Sequence, residues 1–141
     1  MLKNIDPLLT AELLGHLAAM GHGDELALVD RNFPAASTAR RLVTLAGVDV
    51  PHAARAILSV LPVDTFVEPA VRWMGAVGAE QTVQEVHADL QAVVDEAEGR
   101  RVPTAAVERF EFYRRAAEAY VVVATTEDRP YGCFLITKGV I

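Results

Sequence analysis

The sequence predicts an α/β protein, a three-layer α/β/α sandwich around a mainly parallel central sheet with a C-terminal antiparallel hairpin. Three observations carry this reading. Segments with helical spacing alternate with short apolar runs, the pattern that sets helices on both faces of a sheet. Leu26-Ala27-Leu28-Val29 is apolar at every position, as expected of a strand buried on both faces. Near the end, Val121-Val122-Val123-Ala124-Thr125 and Phe134-Leu135-Ile136-Thr137 are rich in β-branched residues and flank Glu127-Asp128-Arg129-Pro130, a turn sequence that predicts the hairpin.

Each element follows from local chemistry. Thr10 is a suitable N-cap, and Leu13, Leu14, Leu17 and Ala18 keep helical spacing up to Gly21. The Leu26–Val29 strand ends on Asp30, where Asn32 and Pro34 stop it. Ala35-Ala36-Ser37-Thr38 is small and polar and reads as a loop able to pass close to a ligand or another chain. Arg40 to Leu45 reads as a second strand. Pro51 suits the first turn of a helix whose buried face is Ala53, Ala54, Ile57, Leu58 and Leu61, running until Pro62. A third strand falls within Phe66 to Ala76, and Pro69 inside it predicts an edge or bent element. Thr82-Val83-Gln84-Glu85 has capping-box spacing, so a helix is expected over 83–98, with the apolar stripe Val83, Val86, Leu90, Val93, Val94, Ala97 and Gly99 as its C-cap. Thr104 to Glu108 reads as a strand and Arg109 to Ala119 as the last helix.

Composition excludes several classes of function. At 141 residues the chain is one domain of ordinary size, able to bury a core without disulfides or metal. Its 52% hydrophobic content and mean hydropathy of +0.23 are high for a small soluble monomer and point to an oligomer. A formal net charge of −6, with 13 basic residues in no dominant cluster, argues against nucleic acid as a partner. No apolar run has the roughly 18 residues of a membrane helix, and Met1-Leu2-Lys3-Asn4 leads into Asp6-Pro7 rather than an apolar signal segment, so a soluble cytoplasmic protein is expected. The single cysteine, Cys133, excludes an internal disulfide and a cysteine-rich metal site. Gly15, Gly21 and Gly23 form no phosphate-binding fingerprint.

The candidate chemical groups begin with Met20-Gly21-His22-Gly23-Asp24-Glu25. A histidine between glycines is unhindered and sits where the backbone is free to turn, although a loop histidine bonded to backbone would read the same way. His16 on the polar flank of the first helix, His52 in the first turn of the second, and His87 at the edge of the long helix's apolar face read as structural or solvated. None has a metal-ligand partner at i, i+4, so no metal is expected. Asp30 stands at the carboxyl end of a buried strand, where open α/β sheets place ligand groups, and its blander role is an Asx bond to the Asn32-Phe33 turn. Arg109 lies among Phe110, Phe112 and Tyr113, as either a surface cation or a group that orients a hydroxyl or carboxylate. Tyr131 offers an amphipathic phenol suited to sugars, or a half-buried lid. A strand of five or six residues would hold His22 and Asp30 about 17–20 Å apart. One small ligand could touch both within a subunit only if the loop folds back; otherwise the site is shared between subunits.

Met1-Leu2-Lys3, Asp6-Pro7-Leu8-Leu9, Glu12-Leu13-Leu14, Met20-Gly21-His22-Gly23-Asp24-Glu25 and Asp30-x-Asn32-Phe33-Pro34-Ala35 resemble the opening of the L-fucose mutarotases, within the larger family that includes D-ribose pyranase. Arg109-Phe110-x-Phe112-Tyr113-x-Arg115-Ala116, then Tyr131-Gly132 and Lys138-Gly139-Val140, resemble the same family, and the two blocks together cover about half the chain. The resemblance implies an isomerase that interconverts sugar anomers without a cofactor, with His22 as proton donor and Asp30, Arg109, Tyr131, Gly132 and Cys133 binding the monosaccharide, L-fucose first. It also implies a homo-oligomeric ring, often a decamer, with sites at subunit interfaces. Cys133 departs from the family's Tyr-Gly-Asn, replacing an amide with a weakly hydrogen-bonding thiol, which puts sugar preference in question. The alternatives are a pyranase working through the same open-chain sugar, a sugar-binding protein without turnover, and a purely structural building block.

Overall fold

The structure, a computed structural model that describes residues 2–141, is built on one six-stranded sheet. In chain order the elements are α1 (Ala11–Ala19), β1 (Glu25–Val29), α2 (Ala35–Thr38), β2 (Leu42–Thr44), α3 (Val50–Leu58), β3 (Val71–Met74), α4 (Glu85–Glu98), β4 (Thr104–Val107), α5 (Arg109–Glu118), β5 (Val121–Ala124) and β6 (Phe134–Thr137). The strand order is β2-β5-β1-β6-β3-β4. β5 runs parallel to β2 and β1, and β4 parallel to β3, while β6 is antiparallel to both of its neighbours, β1 and β3. Five strands therefore point one way and β6 the other.

The strands sort their side chains with a period of two. Leu26, Leu28, Val121, Val123, Phe134 and Ile136 share one core with α1, α3 and α4. Ala27, Val29, Val122 and Leu135 share a second core with α2 and α5, around the fully buried Phe112. Both faces are covered, which is why the central runs are apolar throughout and why the expected three-layer sandwich holds.

Several expectations change in detail. β5 and β6 form no hairpin: β6 is antiparallel as expected, but β1 lies between the two strands, and Glu127–Pro130 belongs to a connection that crosses it. Turn chemistry shows that the chain bends there and not which strand it returns beside. β3 is interior, flanked by β6 and β4, because Pro69 precedes the strand in a cis bond to Glu68 and removes no donor from the ladder. Ala35–Thr38 is a short helix rather than a loop, and α3 ends at Leu58, short of Pro62. The long helix starts at Glu85 with Gln84 as N-cap instead of Thr82, since His87 plays the reciprocal part: the Gln84 side chain accepts the His87 N–H and His87 Nδ1 accepts the Gln84 N–H. His87 is accordingly buried rather than marginal, at 2% exposure.

At its carboxyl end, β6 fastens two loops. The Lys138 carbonyl accepts the Gly23 N–H at 2.9 Å and the Asp24 carbonyl accepts the Lys138 N–H at 2.9 Å, while the Thr137 carbonyl accepts the Asp64 N–H at 3.0 Å. Lys138 also turns its ammonium onto the last carbonyls of α1, donating to Leu17 O at 2.8 Å and Met20 O at 2.6 Å, where the helix dipole favours a cation. Lys138→Met should therefore fray the end of α1 and cost roughly 1.5–3 kcal/mol, the range for hydrogen bonds from a charged donor. Urea unfolding checks this: the midpoint should fall with an unchanged slope, and an unchanged midpoint would remove Lys138 from the account.

Candidate functional site

His22 is presented by a built turn. Asp24 N–H donates to Gly21 O at 3.1 Å, so His22 and Gly23 are the central pair, and Gly23 has φ of 88°, a conformation that favours glycine at the second central position. The Gly21 N–H is taken by the Asp24 carboxylate at 2.7 Å, closing the turn from the other side. The imidazole projects half-exposed, and its Nε2 lies 2.9 Å from Asp64 Oδ1. Asp64 is almost fully buried; burial alone would raise its pKa, but the bond to His22 and the backbone N–H groups of Phe66 and Val67 hold it below the ordinary carboxylate range. An ionised carboxylate accepts only, so the proton between them belongs to Nε2 and Nδ1 is the nitrogen left for exchange.

Apolar surface surrounds this pair. The Phe66 ring stands 5.0 Å from the imidazole and is 73% exposed. A groove of about 480 Å³ runs beside His22 between α1 and the chain's end, lined by Leu14, Leu17, Met20, Pro62, Lys138 and Val140. Val60, Val67 and Ile141 are also exposed nearby in the chain.

The remaining predicted residues gather at the opposite end of the strands. Asp30 follows β1, Arg109 opens α5 just after β4, and Tyr131-Gly132-Cys133 lead into β6, whose antiparallel course brings its start beside the ends of β1 and β3. Asp30 is buried, and its Oδ1 accepts the N–H groups of Asn32 and Phe33 at 3.0 Å each, the Asx geometry that shapes the Asn32-Phe33-Pro34 loop. Cys133 is 2% exposed; burial and the neighbouring Asp30 charge push its thiol pKa well up, so it is an inert, protonated group. The Arg109 guanidinium lies over Phe110 at 4.9 Å and Tyr113 at 5.7 Å, and its Nε is buried without a hydrogen-bond partner among the described residues. Tyr113 also meets Phe33 at 5.5 Å, which links the Arg109 and Asp30 loops.

The structure thus brings Asp30, Arg109, Tyr131, Gly132 and Cys133 to one end of the strands and leaves His22 at the other. The five residues of β1 separate them by about 17 Å at the usual rise per strand residue. Asp64, Phe66 and Tyr113 escaped the sequence reading as site residues. Asp64 precedes the stretch read as the third strand and Phe66 opens it, where no spacing marks a carboxylate as a histidine's partner, and Tyr113 was legible as an aromatic neighbour of Arg109. Among the described residues no three His, Cys, Asp or Glu side chains converge in a metal-binding group.

Behind the second cluster lies a buried polar frame. Glu127 is 1% exposed; burial would raise its pKa, but Arg129 lowers it through its side chain, its N–H and its charge, and the Val50 N–H adds to the effect. The Glu127 carbonyl accepts the Arg31 N–H, tying this connection to the Asp30 loop. A Cβ on Gly132 would stand 2.9 Å from Glu127 Cγ, so glycine is required there by packing.

The chain matches the RbsD / FucU transport protein family over residues 3–141. Human fucose mutarotase is 40% identical over 99% of this chain and 94% of its own length. The solved structure of the protein Atu2016 is 48% identical, covers 100% of this chain and 97% of that one, and superposes with a TM-score of 0.96. The fucose mutarotase from Streptococcus pneumoniae, solved in complex with L-fucose, is 31% identical over 99% of both chains with a TM-score of 0.88.

Burial lowers the pKa of His87 below its ordinary 6.5, against the smaller opposing effect of its bond to the Tyr131 carbonyl. The unfolded chain then takes up this proton more readily than the folded one. The associated stability is complete above a pH of about 6.5 and is lost as pH falls through the folded pKa. Thermal unfolding between pH of about 7.5 and 5 should show the wild type losing Tm more steeply than His87→Gln; parallel curves would contradict the assignment.

Proposed function

The chain belongs to the RbsD / FucU transport protein family, and from that premise we propose that it is a monosaccharide mutarotase, an isomerase interconverting the α and β anomers of L-fucose. The observation that carries the reading is the His22–Asp64 pair, a half-exposed imidazole whose one nitrogen is held by a buried carboxylate and whose other is free. Anomer exchange needs ring opening: one group removes the anomeric hydroxyl proton while another protonates the ring oxygen, and the roles reverse on closure. His22 is the proton donor in its protonated form, in which Nε2–H stays on Asp64 and Nδ1–H is given to the ring oxygen while the facing cluster takes the anomeric proton. The neutral ring left behind, with Nδ1 bare, takes a proton back on closure. Imidazole is the side chain that most readily gives and takes protons at neutrality, and the reaction already proceeds slowly in water. General acid–base catalysis of roughly 10²–10⁴-fold is therefore a sufficient contribution.

Asp30, Arg109, Tyr131, Gly132 and Cys133 bind the sugar in this reading. Arg109 brings an unpartnered buried N–H, and Tyr113 and Tyr131 bring amphipathic rings suited to a molecule with C–H faces and hydroxyl edges. Because His22 lies across the length of β1 from this set, a working site needs a second subunit that apposes one end to the other, in a closed homo-oligomer such as a decameric ring. Supporting this, both ends expose large apolar side chains, Phe66 and Val67 on one and Val77 and Phe110 on the other. Among the described residues no helix is long and apolar enough to cross a membrane; the proposed location is the cytoplasm.

Magnetisation exchange between anomeric protons across a panel of monosaccharides tests the activity. L-fucose should show the largest acceleration. Acceleration confined to D-ribose pyranose–furanose exchange would mark a pyranase, and saturable binding without exchange a sugar-binding protein. His22→Gln should lose roughly 10²–10⁴-fold in rate while sugar binding and assembly persist; near-wild-type exchange would move proton transfer elsewhere. Light scattering should return a multiple of the 15.2 kDa chain, and a monomer at micromolar concentration would defeat the shared site.

A further inference from the structure

Tyr131 has φ of 61°, and with Asn4 (φ of 62°) it makes up the non-glycine residues with positive φ among the described residues. A bulky side chain seldom holds this conformation unless its surroundings impose it, and such residues concentrate where a side chain must be aimed. The Tyr131 carbonyl is held by His87, which comes from α4. Its Nε2 lies 2.9 Å from the Tyr131 carbonyl oxygen and its Nδ1 3.0 Å from the Gln84 nitrogen. The Gln84 N–H must donate, so Nδ1 is the bare nitrogen, the ring is neutral, and Nε2–H donates to Tyr131. The ring cannot swing, since it stacks on Trp73 at 4.3 Å and 27° and meets the edge of Phe134 at 5.7 Å. α4 itself is tied to the same loop a second time, through Arg129, which donates to Asp89 at 2.6 Å and to Glu127.

We propose that His87 is a positioning residue for sugar binding: its bond to the Tyr131 carbonyl fixes the left-handed turn that aims the Tyr131 phenol and the Gly132-Cys133 backbone at the substrate, a role that rests on the assignment of Tyr131 to the sugar. The phenol is oriented but not consumed by the fold. Its oxygen accepts one long bond, from the Val77 N–H at 3.3 Å in an exposed loop, which a sugar hydroxyl can replace. A histidine serving only the core would fill space between Trp73 and Phe134 and could be exchanged for another ring without consequence for the ligand. His87 joins that packing to one directed hydrogen bond, and the two parts can be separated by substitution.

His87→Phe keeps the ring and its stacking and removes both nitrogens; His87→Gln keeps a donor that reaches as far as Nε2. With L-fucose anomer exchange as the assay, His87→Phe should raise KM roughly tenfold, the weight of one hydrogen bond's misplacement, with kcat within about threefold of wild type. His87→Gln should restore KM to within about threefold. Nitrogen-15 spectra of wild-type His87 should show the neutral Nε2–H tautomer, with a resonance that shifts on saturation with L-fucose. Unchanged KM in a folded His87→Phe overturns the role, as does equal impairment of both variants. Should His87→Phe not fold, the wild-type resonance decides: a shift on saturation supports the role and its absence overturns it. A wild type that neither binds nor exchanges L-fucose overturns the mutarotase reading and this role with it, whereas a turning-over wild type with unchanged KM in His87→Phe overturns this role alone.

Discussion

β6 is paired along its length on both sides, antiparallel to β1 and to β3, and each of the two residue clusters hangs from one of its ends. At its start the Cys133 carbonyl accepts the Met74 N–H, which fixes Tyr131-Gly132-Cys133 against the ends of the parallel strands. At its finish Thr137 and Lys138 bond Asp64 and Gly23, which sets the buried carboxylate beside the histidine turn. Gly139 completes this end: a Cβ there would stand 2.7 Å from Val63 O, so the Asp64 segment can approach only a glycine. A register slip of one residue in β6 would exchange its two faces and detach both loops together.

The same strand that joins the two clusters keeps them apart. Backbone pairing makes β6 and β1 stiff rods, so no local adjustment brings His22 to Asp30 in one subunit. The proposed site therefore calls for a closed assembly in which each interface carries one cluster from each of two neighbours. Four polar groups that frame the clusters are buried and hydrogen-bonded before any ligand arrives: Asp64 by His22 and backbone, Asp30 by its Asx turn, Glu127 by Arg129 and Val50, His87 by Gln84 and Tyr131. Such preorganisation spares a site the cost of ordering its groups when a ligand binds.

Much of this was legible in the sequence. Leu26–Val29 announced a doubly covered strand because every position is apolar, and Thr10 and Gly99 announced helix ends because their side-chain and backbone chemistry act locally. The partner of β6 was not legible, because pairing between Phe134 and Leu28 joins residues far apart in the chain and leaves no local mark. Pro69 misled for a related reason: its missing donor matters only inside a ladder, and it lies outside one. His22 stood out through its flanking glycines, whereas Asp64 did not, since nothing in Val63-Asp64-Thr65 distinguishes a carboxylate facing a histidine from one facing water. His87 looked peripheral because the helix pattern placed it beside the apolar stripe, and the neighbour that buries it, Trp73, comes from a different element.

The claim on which the rest turns is that one catalytic site takes His22 from one subunit and the Asp30 cluster from another. Mixing His22→Gln with Asp30→Asn subunits, each inactive alone, and reassembling them tests it directly by anomer exchange. A shared site predicts recovery of about a quarter of the wild-type rate in a random one-to-one assembly, since that fraction of interfaces carries two intact halves. Co-assembly, verified by mass, with no exchange above that of the parent variants would contradict it, because a site contained in one subunit would remain broken in every chain.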